Sequence, residues 1–167
     1  MTVTVRPFVA DDVEALREIR LEALRLHPEA FCADLEQEEA MSKPQWLARL
    51  ASAATLGGFS GAACEGMVVY SRPSVAKRAH TGELSAMYVR EAARGSGLAD
   101  ALVRAVIEHA AGEVEQLKLT VNADNLRAVR LYERHGFRVC GRIPRTIRVG
   151  ERTYDELVML RTVSQSD

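Results

Sequence analysis

The sequence predicts a mixed α/β fold, one sheet with helices on both faces. Two observations carry this. Residues 84–110 read as a buried strand, a turn with two glycines and an amphipathic helix. Elsewhere strands and helices mix without strict βαβ alternation, internal repeats or low-complexity linkers, which favours a mixed sheet over an all-parallel one. The chain has 167 residues, so residues 1–167 are expected to form a single domain with a full core.

In chain order, Thr2 to Phe8 alternates apolar and polar residues and predicts a first strand. Asp11 or Asp12 can cap a helix to about Leu26, with Val13, Leu16, Ile19, Ala23 and Leu24 as its buried stripe. His27-Pro28 ends that helix. Residues 27 to 42 read as irregular and acidic, and Ser42 then caps a second helix to about Leu50 that carries Trp46, expected in the core. Ala54 to Phe59 and Ala62 to Ser71 predict a hairpin about Ser60-Gly61. Arg72 to His80 is a loop, and a central strand begins at Thr81. After the long helix, Gly112 marks a stop. Gln116 to Val121 predicts a strand, and Asn122-Ala123-Asp124-Asn125 a turn into a short helix that finishes at Gly136. Val139–Arg142, Thr146–Val149 and Tyr154–Leu160 complete the strands, and Thr162 to Asp167 is expected to fray.

The glycine turn points to chemistry. Leu98, Ala101, Leu102, Ala105, Val106 and His109 mark one helix face, so the helix starts at Gly95-Ser96-Gly97. Its first N–H groups lack intrahelical partners, and with the positive end of the macrodipole they make an anion site. Gly95 and Gly97 let a ligand approach the backbone, and Arg94 adds a cation. Gly-x-Gly alone serves equally as a tight connection. Position 100 is Asp, so the dinucleotide fingerprint is incomplete, and no Lys-Ser or Lys-Thr follows a glycine as a triphosphate loop requires.

Composition excludes other classes. A net charge of −1 gives no support for nucleic-acid or membrane-surface binding. No run approaches the ~20 apolar residues of a membrane span, and Met1 to Arg6 lacks the pattern of a signal peptide. Cys32, Cys64 and Cys140 read as reduced thiols, which suits a cytoplasmic location, and no Cys/His spacing suggests a metal.

Arg94-Gly95-Ser96-Gly97-Leu98-Ala99, preceded by Met87-Tyr88-Val89, resembles the acetyl-CoA signature of the GNAT family of N-acetyltransferases. Asn125, Ala128, Leu131, Tyr132, Gly136 and Phe137 match that family's second motif, in the right order and at the right separation. The resemblance covers most of the chain and is weakest from about residue 27 to residue 60. It implies the GNAT fold: a mostly antiparallel mixed sheet of six or seven strands whose central strands splay apart, with helices on both faces. It also implies acetyl-CoA as cosubstrate, and a ternary complex in which a primary amine of a small molecule or protein attacks the thioester directly.

The resemblance assigns roles residue by residue. The diphosphate would rest on the backbone of Arg94, Gly95, Ser96, Gly97, Leu98 and Ala99, and the pantetheine arm would pair with the backbone of Met87 and Val89 as an added strand. Tyr132 would protonate the leaving thiolate. Glu83, six residues before Val89, is the candidate base, with His80 or a water chain as alternatives. Asn125 would cap its helix and also bond the cofactor. The helix pair and its acidic linker would wall the acceptor pocket. Two alternatives stay open: a non-catalytic acetyl-CoA sensor, and transfer of a longer acyl group. A homodimer, common in the family, is also open.

Overall fold

The structure, a computed structural model, describes residues 3–163. Its centre is a seven-stranded sheet: β1 (Thr4–Pro7), β2 (Ala54–Ser60), β3 (Ala63–Ser71), β4 (Thr81–Val89), β5 (Gln116–Asn122), β6 (Arg138–Val149) and β7 (Arg152–Thr162), in the order β1-β2-β3-β4-β5-β7-β6. Every neighbouring pair is antiparallel except β4 and β5. The helices are α1 (Val13–Leu26), α2 (Leu35–Glu39), α3 (Lys43–Ser52), α4 (Leu98–Ala110) and α5 (Leu126–Arg134). Among the described residues no helix is long and apolar enough to cross a membrane.

Helices cover both sheet faces, and each face has its own core. On one, Leu98, Leu102, Val103 and Val106 of α4 pack with Leu84, Leu117, Leu119 and Met159, joined by Leu131 and Tyr132 of α5. On the other, Leu16, Ile19 and Ala23 of α1 and Trp46 of α3 pack with Phe59, Met67 and Tyr88. The alternation Leu117, Leu119, Val121 puts one side of β5 in the first core, as period-two patterning requires.

The feature that positions the site is a bulge in β4. Met67 pairs with Tyr88 and Val69 with Ser85, so two β4 residues, Ala86 and Met87, oppose Val68 alone. Ala86 takes a left-handed φ of 51° to accommodate the extra residue. In a regular strand Leu84 and Tyr88 would share a face; here they lie in opposite cores. The bulge bends β4, and its pairing with β5 stops at Glu83–Lys118. From Leu84 onward the two strands part. The Arg90 N–H donates to the Glu65 carbonyl at 2.9 Å, towards β3. Strand alternation therefore turns the backbone groups of Val89 and Met87 away from β3, into the opening.

Four differences from the sequence reading have physical causes. The acidic linker holds the short helix α2, and its charges are engaged internally. Glu38, 5% exposed, bonds Arg20 of α1 at 3.0 Å and Arg49 of α3 at 2.9 Å, while Glu39 takes Arg25 at 2.7 Å. The two expected strands after residue 138 are one edge strand, β6, because Pro144 and Arg145 (φ 55°) sit in an irregular stretch that a sheet edge tolerates. Thr162 belongs to β7, and Val163 is buried, its N–H bonded to the Glu115 carbonyl. The first strand begins at Thr4; Thr2 and residues 164–167 lie outside the described residues.

Glu38→Ala is expected to cost about 3–5 kcal/mol in urea unfolding, because it leaves Arg20 buried and unpaired. Asp12 accepts two bonds from Arg6, which hold its carboxyl below the usual range against the opposing effect of burial. A depressed carboxylate stabilises above its unfolded pKa, and that contribution disappears as pH falls through its folded value. Asp12→Asn should therefore melt below the parent at pH ~7, with the gap closing below about pH 3.

Candidate active site

The opening between β4 and β5 leads into a cavity of about 680 Å³. Its floor is Met87, Tyr88 and Val89 of β4 with Asn122 of β5. The glycine turn and the first turn of α4 form one wall, α5 a second, and His27 to Phe31, just after α1, a third.

The glycine turn is shaped by backbone needs. Gly95 has φ 79° and Gly97, the residue capping α4, has φ 86°, conformations that a side chain disfavours. A Cβ on either would meet nothing within 4 Å, so the space above both stays open. The Ser96 hydroxyl donates to the Ala93 carbonyl at 2.7 Å and accepts from Leu98 N–H at 3.3 Å, which tightens the turn. The first intrahelical bond of α4 is made by Ala101 N–H to the Gly97 carbonyl at 3.0 Å. The N–H groups of Ala99 and Asp100 precede it and have no helical partner. Arg94, Arg127 and Arg134 also line the cavity. Asp100, the one acid in the first turn of α4, pairs with Arg134 at 3.1 Å and hydrogen-bonds His135 Nε2 at 2.9 Å. Burial pushes its carboxyl up, but these bonds outweigh that and leave it below its ordinary value. The result is a helix start suited to a polyanion.

The opposite wall is fixed by cross-links. Asn122 Nδ2 donates to the Glu29 carbonyl at 3.0 Å, tying the segment after α1 to β5. The Tyr88 hydroxyl donates to Glu22 at 2.9 Å, and Arg90 donates to the same carboxylate at 3.0 Å. Burial first, then Glu22, pushes the Tyr88 phenol up to about 12, so it stays protonated. On β7, opposite Asn122, burial raises the Glu156 carboxyl above its ordinary value, against a bond from Thr120.

Of the residues expected from sequence, Met87, Val89, Arg94, Gly95, Gly97, Ala99 and Asn125 line the cavity together. Ser96 and Leu98 shape the turn from behind it, Leu98 with its side chain in the core. Asn125 caps α5, its side chain accepting from Ala128 N–H at 3.1 Å. Tyr132 is 5% exposed, behind the lining residues Ala128 and Leu131, with its ring 5.9 Å from that of Phe137. Glu83 stands where β4 and β5 still pair, 3.6 Å from Lys118, and is not part of the cavity lining. His80 is exposed in the loop before β4. The sequence reading passed over His27, Phe31, Asn122 and Tyr154, all of which line the cavity. His27 reads in sequence as part of a helix stop and Asn122 as part of a turn, and only the fold aims them inward.

A family model described as the acetyltransferase (GNAT) family matches residues 13–137. The chain belongs to the GNAT family. Solved structures share its fold. A GNAT-family acetyltransferase from Streptococcus pneumoniae superimposes with a TM-score of 0.85 at 23% identity, covering 98% of this chain and 100% of that one. A phosphinothricin acetyltransferase from Sinorhizobium meliloti, in complex with AcCoA, gives 0.84 at 22% identity, covering 98% and 90%. A mycothiol acetyltransferase of Kineococcus radiotolerans is 34% identical over 141 residues, which cover 81% of this chain and 42% of that protein. The chain thus spans about two fifths of that relative's length.

Gly97→Ala is expected to cost about 1–2 kcal/mol in urea unfolding, through its left-handed φ and not through a clash. Calorimetry should show weaker coenzyme A binding in the same variant, because the added methyl enters the open space above the turn.

Proposed function

We propose that this chain is an acetyl-CoA-dependent N-acetyltransferase that moves an acetyl group to a primary amine of a small molecule or protein in a ternary complex. One observation carries the proposal: a parted strand pair and an anion-binding helix start open into the same cavity. The residues fit acetyl-CoA at both ends. The open amides of Ala99 and Asp100, the space over Gly95 and Gly97, and the cations Arg94 and Arg127 suit phosphates. The outward backbone of Met87 and Val89 suits the amides of a pantetheine arm, which would sit as a strand β4 lacks beyond Glu83. When bound, acetyl-CoA supplies an acetyl thioester, an acyl donor that an amine can attack.

The protein's part is to hold both partners and to manage protons. Deprotonating an alkylamine of pKa ~10.4 at pH ~7.4 costs about 4 kcal/mol, whereas an α-amino group of pKa ~8 needs under about 1 kcal/mol. Tyr132 is assigned as hydrogen-bond donor to the leaving thiolate. Burial raises its phenol above its ordinary value, so it keeps its proton and acts by donation, short of complete transfer. The acceptor side is formed by His27, Glu29, Phe31 and Tyr154. With Glu38 and Glu39 engaged by arginines, Glu29 is the linker acid that meets the cavity.

The test combines a calorimetric titration with coenzyme A and an assay of thiol release from acetyl-CoA over polyamines, amino acids and peptide N-termini. The expected result is micromolar binding and amine-dependent release. Binding without release for any amine would make the chain a sensor and end the transferase proposal. Tyr132→Phe should lower kcat about 10–100-fold with little change in acetyl-CoA affinity; equal rates would remove Tyr132 from the reaction.

A further inference from the structure

Arg94 is the cation of the glycine turn, yet its guanidinium points away from the open amides. Its Nε donates to the Val89 carbonyl at 3.3 Å, and its Nη2 lies 3.2 Å from His27 Nε2. A guanidinium carries only donors, so His27 Nε2 must be the acceptor. A neutral imidazole that accepts at Nε2 bears its proton on Nδ1. Nδ1 lies 3.8 Å from Glu29 Oε1, a carboxylate placed to favour that proton. The segment carrying Glu29 is held by Asn122, and the His27 ring sits 5.8 Å from the Tyr88 ring. His27 is therefore an oriented base on the cavity wall, its lone pair covered by the residue that a phosphate would attract.

We propose that His27 is the proton acceptor for the incoming amine, and that Arg94 caps its Nε2 until a diphosphate at the glycine turn draws the guanidinium away. The proposal rests on the transferase reading above and names its base. Arg94 belongs to the turn itself, so its side chain can swing to a phosphate there without backbone movement. That swing releases the Val89 carbonyl, on the open edge of β4, in the same event. Cosubstrate seating and exposure of the base are then one change. Glu83 offers no such path, since it pairs with Lys118 where the strands are still joined.

The proton balance closes. The acceptor ammonium gives one proton to Nε2, and the resulting imidazolium has Glu29 Oε1 3.8 Å from its Nδ1. The freed nitrogen lone pair forms the C–N bond to the acetyl carbon as the C–S bond breaks, and the sulfur leaves as thiolate with the electron pair of the C–S bond. The new amide passes its second proton to the thiolate, and His27 returns the first to solvent.

The tautomer is directly measurable. With 15N-labelled histidine, the free protein should show His27 protonated at Nδ1 and hydrogen-bonded at Nε2. Coenzyme A, which carries no acetyl group, should move the Nε2 resonance to that of an unbonded acceptor. A second arm measures kinetics. His27→Ala should lower kcat about 100-fold or more, with acetyl-CoA Kd within about threefold, and millimolar imidazole should restore much of the loss. His27→Gln serves as the folding control and should show the same kcat loss without imidazole rescue. An Nε2–H tautomer in the free protein, no response of His27 to coenzyme A, or a His27→Ala kcat within about threefold of the parent overturns the proposal while the transferase reading stands. A parent that releases no thiol with any amine overturns both.

Discussion

The structure depends on the bulge in β4. One extra residue, absorbed at Ala86 with a left-handed φ of 51°, rotates the rest of the strand and ends its pairing with β5 at Glu83. A non-glycine residue held there costs about 1–2 kcal/mol. That cost is offset by two cores that clamp the strand from both faces, Leu84 in one and Tyr88 in the other. Without the bulge β4 would continue along β5 and the cavity would close. The opening is thus a packing consequence, and the unpaired edge it creates is a binding surface in its own right.

Electrostatics around the cavity follow a consistent rule: charges near the opening are mostly paired within the protein. Asp100 is paired with Arg134, Glu22 with Arg90, and Glu38 with Arg20 and Arg49. These pairs tie α1, α2, α3, α4 and α5 to one another or to β4, so they shape the walls more than they attract ligands. Arg94 differs in kind. Its partners are a carbonyl and an imidazole, neutral acceptors that a phosphate outcompetes. This cation sits beside the turn where a polyanion would arrive, and its present partners are the groups that a reaction would next need.

Much of this architecture was legible in the residues. Strand and helix periods placed nearly every element, because apolar alternation and i, i+3, i+4 spacing report burial directly. Gly95 and Gly97 marked the anion turn because no other residue takes those backbone angles freely. Asn125 advertised its cap, and Trp46 its burial. The short helix α2 was hidden because acidic residues mask its period, and the Arg20–Glu38 pair beneath it links residues 18 apart.

What the sequence by itself determined was the family motif, the helix start that can hold phosphates, and the buried stripes of α1, α4 and β5, since each is written in local spacing. Which polar groups meet inside the cavity was decided only by the tertiary structure. His27 ends one helix, Arg94 begins the turn before another, and Glu29 and Asn122 lie 93 positions apart. Nothing in local pattern joins them. A bent strand and the packing of α1 across it bring them together, so their chemistry exists only in the folded chain.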